Sequence, residues 1–145
     1  MVKFKNRSPF LLNEKQKRAE NYYMTVDLMF MQEAGSVEWK QQEGYTLHKN
    51  HDSLIVYRTS KFGNINWEET EKWSKLLDIN ADTAIVITEQ NYLLVSSHFK
   101  SSSPHFLEQE EELFKVLNYV LDYYKGIPDF RVIVGADANH FIENP

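Results

Sequence analysis

The sequence predicts an α+β fold in a single domain. Three observations carry this reading: short β-forming runs bounded by turn residues, two pairs of runs close enough to form hairpins, and one long stretch whose apolar residues recur near a 3.6-residue period. With 145 residues the chain is long enough to bury a real core and too short to expect two.

The elements follow in chain order. Val2, Phe4 and Asn6 alternate with Lys3, Lys5 and Arg7, the pattern of a short strand with one exposed face. Asn13 followed by Gln16 resembles a helix-start capping box and opens a polar helix to about Tyr23. Leu28–Gln32, "LMFMQ", is apolar at successive positions, as expected of a central strand buried on both faces, and it ends in Glu33. Tyr45–His48 and Leu54–Arg58 read as paired strands around a turn at His51-Asp52-Ser53. Trp67–Leu77 is a short helix expected to turn Trp73, Leu76 and Leu77 inward. Thr83–Thr88 and Tyr92–Phe99 flank the polar link Glu89-Gln90-Asn91 and predict a hairpin of antiparallel strands. The longest helix is expected from Pro104 to Lys125, with Ser103 before it and Gly126 and Pro128 after it. Phe106, Leu107, Leu113, Phe114, Leu117, Val120, Leu121 and Tyr124 form its expected packing face, leaving Glu108, Glu111 and Lys115 wet. A strand at Phe130–Val134 follows, and no internal repeat or linker divides the chain.

Composition narrows the function classes. A chain that is 42% hydrophobic, 14% aromatic and 26% charged is globular, and no apolar run approaches the roughly 20 residues that span a bilayer. The formal charge of −5 argues against an all-over basic surface for nucleic acid, so a phosphate site must be local. Zero cysteines exclude disulfides and thiolate ligands. The start Met-Val-Lys-Phe-Lys-Asn-Arg lacks a signal-peptide core, which gives an intracellular expectation, compartment unspecified.

Four residues could carry chemistry. Glu33 follows a strand too apolar to leave a charge cheaply unpaired, so its carboxylate needs donors, a cation or solvent. His98 ends the strand in "SSHFKSSS", where an imidazole could bond a phosphoryl oxygen or orient a carboxylate. Asp137 and Asn139 follow Gly135 in "VIVGADAN"; a strand end holds such side chains rigidly while the next loop leaves them reachable. Each also has a plain structural reading, as a strand terminus, a structural histidine or a turn former.

Taken in order, these segments resemble the endonuclease/exonuclease/phosphatase superfamily, the DNase-like metal-dependent phosphoesterases. "DLMFMQEAG" (27–35) is similar to that family's Asp-x-x-x-x-Gln-Glu strand, and "HDSLIVYRTSKF" (51–62) to its hairpin strand. "LLVSSHFKS" (93–101) is similar to its strand ending in a histidine, and "VIVGADAN" (132–139) to its Asp-x-Asn segment, with Ala136 one step before Asp137. The family also carries an Asn at the end of its first strand, for which Asn6 is the candidate, although "VKFKN" is charged at alternate positions.

The resemblance implies a two-sheet β-sandwich flanked by helices, in four layers α/β/β/α, of which 1–145 would be a partial domain incomplete on the C-terminal side. It implies Mg²⁺, or Mn²⁺, held by Glu33 with Asn6 assisting, Asp137 orienting the nucleophilic water, and Asn139 and His98 stabilising the transition state. Mg²⁺ suits such chemistry because it takes oxygen ligands and few protein carboxylates. The family's closing segment, an Asp followed by a general-base His, is absent before Pro145. A missing general base removes a rate factor of about 10²–10⁴, so this chain alone is expected to be weak or inactive. The expected partners are a phosphate-ester substrate or nucleic acid, and a protein covering the unfinished sandwich. The alternative is a non-catalytic structural or interaction subunit of a larger assembly that retains the fold. DNA, RNA, nucleotide, inositol phosphate and lipid substrates stay open.

Overall fold

A computed structural model describes residues 9–32, 38–77, 81–99 and 106–137. Their elements run α1 (Pro9–Tyr23), β1 (Leu28–Met31), β2 (Tyr45–Asn50), β3 (Ser53–Arg58), α2 (Thr59–Phe62), α3 (Trp67–Leu77), β4 (Ala81–Ile87), β5 (Tyr92–Phe99), α4 (Phe106–Tyr123) and β6 (Arg131–Asp137). The expected strand at 2–7 lies outside the described residues.

The strands form two three-stranded sheets, ordered β1-β3-β2 and β4-β5-β6. In the first sheet both pairings are antiparallel. In the second, β4 and β5 form the expected hairpin, while β6 lies parallel to β5. A parallel neighbour needs a long crossover, and α4 supplies it.

Three apolar clusters define the layers. Ala19 and Tyr23 of α1 pack with Met31, Leu54 and Val56 on the outside of the first sheet. Ile55 and Tyr57 meet Ala84, Val86 and Leu94 between the sheets. Trp73 of α3 and Leu113, Leu117 and Val120 of α4 cover Ile85, Leu93 and Val95 on the outside of the second. The result is the four-layer α/β/β/α sandwich. Between the sheets Ile55, Tyr57, Ala84, Val86 and Leu94 have no exposed surface, and a fully buried large apolar side chain contributes about 1.5–3 kcal/mol of transfer free energy.

Several expectations are corrected. Helix α1 begins at Pro9 rather than Asn13, so Asn13 lies inside the helix and the capping box is not its start; proline is tolerated in a first turn because its missing N–H would be unpaired there anyway. Strand β1 is apolar on both faces for the expected reason, since Met29 and Met31 pack toward α1 while Leu28 and Phe30 pack between the sheets. It is nonetheless an outer strand of its described sheet, and β3 is the central one. Leu76, expected inward, is 45% exposed, as are Phe114 at 51% and Leu121 at 40%. Both helices are covered on one side only, and their apolar residues spread over a wider arc than the sheet can shield. The helix begins at Phe106 among the described residues, and β6 runs on to Asp137 beyond the expected Val134. Among the described residues no helix is long and apolar enough to cross a membrane.

Candidate metal site

Three strands end at one rim of the sandwich. Because β5 and β6 are parallel, their carboxyl ends arrive together, and the register makes His98 the partner of Asp137. Strand β1 joins them from the other sheet. Gln32, the residue after its end, donates from Nε2 to Ser96 Oγ at 2.9 Å, and both residues are buried. Ser96 Oγ in turn donates to the Met31 carbonyl at 3.4 Å. One residue pair shows how close the sheets come: a side-chain carbon at Gly135 would run into Cδ2 of Phe30. The glycine is needed here for close approach.

His98 does not stand alone at that rim. Its antiparallel partner on β4 is Asp82, and directly opposed residues share a sheet face. Asp52 enters from the β2–β3 turn, where His51 adopts a φ of 51°. The turn is tied down beside β4 by two bonds: Ser53 Oγ donates to the Asp82 carbonyl at 2.7 Å, and Asn50 Nδ2 donates to the Thr83 carbonyl at 2.7 Å. Thr83 Oγ1 and Ser97 Oγ are 2.9 Å apart across the β4–β5 ladder. A carboxylate oxygen of Asp52, one of Asp82 and a ring nitrogen of His98 lie within 4.8 Å of one another, with His98 only 9% exposed.

Two oxygens and one nitrogen at this spacing can converge on a small divalent cation, whose ligands sit about 2.0–2.2 Å from the metal. The same carboxylates can also orient the imidazole as a proton donor, because a ring N–H aimed at a carboxylate fixes the tautomer.

Of the residues singled out in the sequence, His98 lies in this cluster and Asp137 is its register partner, described by its backbone. Glu33, Asn6 and Asn139 lie outside the described residues. Sequence reasoning missed Asp52 as more than a turn residue and passed over Asp82. A signal for Asp82 existed: counting the hairpin register outward from the Glu89-Gln90-Asn91 link, with Ile87 opposite Leu93, places residue 82 opposite residue 98. Asp27, which opens the resembling β1 segment, has another role. Lys61 Nζ at 2.8 Å and Arg58 Nε at 3.0 Å both bond its carboxylate, and those bonds, Lys61's first, hold its carboxyl below the usual range.

No family model, curated protein or solved structure matches this chain.

Proposed function

We propose that this rim is a divalent-cation-dependent site for phosphate esters, of the class the DNase-like resemblance implies. The observation that carries the reading is the row Asp82, His98, Asp137 across three adjacent strands, with Asp52 beside it. These residues come from four separate chain segments, three of them as direct register partners.

In this reading Asp52, Asp82 and His98 hold the cation, with Glu33, Asn6, Asp137 and Asn139 assigned to the same rim by resemblance. The donor set fits: carboxylates suit Mg²⁺ and Mn²⁺, and an imidazole nitrogen tilts the preference toward Mn²⁺ or Zn²⁺. A bound divalent cation would neutralise charge building on phosphoryl oxygens. The bonds from Ser53 and Asn50 keep the Asp52 turn beside β4, and the buried Gln32–Ser96 contact holds the end of β1 against β5. Such preorganisation is the protein's share of electrostatic catalysis. The His98–Asp137 pairing favours a second reading of the same rim. In that reading the imidazole, oriented by Asp52 and Asp82, donates a proton to a phosphoryl or leaving-group oxygen, and the cation is held by Glu33.

Hydrolysis of bis(p-nitrophenyl) phosphate with Mn²⁺ or Mg²⁺ tests the function. Turnover that falls by roughly 10²–10⁴ in His98→Ala supports it. Cation binding without any turnover moves the chain to the non-catalytic subunit that retains the fold. Turnover equal in wild type and His98→Ala contradicts the proposal.

A further inference from the structure

Helix α4 carries an exposed stripe beside its packing face. Leu113, Leu117, Val120 and Tyr124 are buried against the second sheet. At about 100° per residue, Glu111, Phe114, Lys115, Asn118, Leu121 and Asp122 fall on a stripe centred roughly 130° round the helix from them, Phe114 and Leu121 on its near edge; Lys125, in the turn just past the end of α4, continues its line, and all seven are exposed. Phe114 at 51% and Leu121 at 40% give this stripe an apolar spine that water must otherwise cover. Shallow grooves run along it, one lined by Glu111, Phe114, Lys115 and Asn118, another reaching Leu76 of α3.

The order of charges along the stripe is informative. It reads acidic at Glu111, basic at Lys115, neutral at Asn118, acidic at Asp122 and basic at Lys125. A two-fold axis through Asn118, with the helices antiparallel, brings Glu111 against Lys125 of the second copy and Lys115 against the Leu121–Asp122 step. Every charge then meets its opposite, while Phe114 and Leu121 approach the axis from both sides. A parallel pairing would set each charge against itself. The stripe is complementary to its own antiparallel image, which is the requirement of an isologous contact. The ion pair Lys125 Nζ–Asp122 Oδ1 at 3.4 Å within one copy does not oppose this, because both side chains are more than 70% exposed and such pairs exchange partners at little cost.

We propose that a second copy of this chain docks on this stripe, forming an antiparallel α4–α4 dimer about Asn118. Sedimentation of the full chain over a range of concentrations tests it. Wild type should show a concentration-dependent monomer–dimer equilibrium that weakens with salt. Lys115→Glu should weaken dimerisation about tenfold, since it turns an attraction into a repulsion. Lys115→Glu with Asp122→Lys should restore it, as should Glu111→Lys combined with Lys125→Glu relative to Glu111→Lys alone. These side chains are exposed, so the variants keep the fold, which circular dichroism checks. A wild type that stays monomeric at all concentrations overturns the proposal and leaves the stripe to another protein. A dimer indifferent to the single reversals, or unrestored by the paired ones, overturns the geometry.

Discussion

Asp82 and His98 are cross-strand partners one pair in from the open end of the β4–β5 ladder, and the Asp52 turn closes on the same pair to within 4.8 Å. Two carboxylates this close repel each other unless a positive group lies between them. Asp82→Asn is therefore expected to be at least as stable as wild type without metal. It should lose any rise in thermal midpoint on adding Mn²⁺. In wild type that rise corresponds to about 2.7 kcal/mol at a hundredfold excess over the dissociation constant. Thermal denaturation with and without Mn²⁺ measures both.

Gly135→Ala should destabilise the fold by roughly 1–3 kcal/mol, the usual result of forcing an extra methyl into a packed site. The added Cβ meets Phe30 at Cδ2 and Cγ of the ring and at its Cβ, the last two at 2.8 and 2.9 Å, so swinging the ring away does not relieve it. Urea denaturation of the single variant and of Gly135→Ala with Phe30→Leu checks the cause: the smaller partner should recover part of the loss.

Gln32→Ala should cost about 1–3 kcal/mol, because it leaves the buried Ser96 hydroxyl without its donor at the join between the sheets. Amide exchange near the ends of β1 and β5 should quicken more than in the β2–β3 hairpin. Equal quickening throughout would show that the contact does not hold these strand ends.

His48 sits between the sheets against Trp67, ring centroids 5.6 Å apart, and burial lowers its pKa. A histidine whose folded pKa lies below its unfolded value contributes stability that is complete above about pH 6.5. That stability is lost as the pH falls toward the lower folded pKa. Urea midpoints should drop over that interval in wild type and drop less in His48→Gln.

Much of this was legible in the sequence, for local reasons. The hairpins around His51–Asp52 and Glu89–Asn91, helix α3 and the apolar period of α4 each follow from pattern and turn chemistry within a short window. The both-sided apolarity of β1 was legible too. Its place at the end of its described sheet was not, because strand order is decided by pairing between distant segments. The exposure of Phe114 and Leu121 escaped for a related reason: periodicity shows which residues share an arc, not how wide an arc the neighbouring layer covers. At the site, His98 stood out as a histidine at a strand end. Asp52 looked like any turn residue, and Asp82 gains meaning only through register with His98.

Calorimetric titration of Mn²⁺, and then Mg²⁺, into the wild-type chain and His98→Ala tests the central claim most directly. The account predicts one saturable site in wild type, tighter for Mn²⁺, and loss of that site in the variant. Absence of a saturable site in wild type, or undiminished binding in His98→Ala, would contradict a cation held by Asp52, Asp82 and His98.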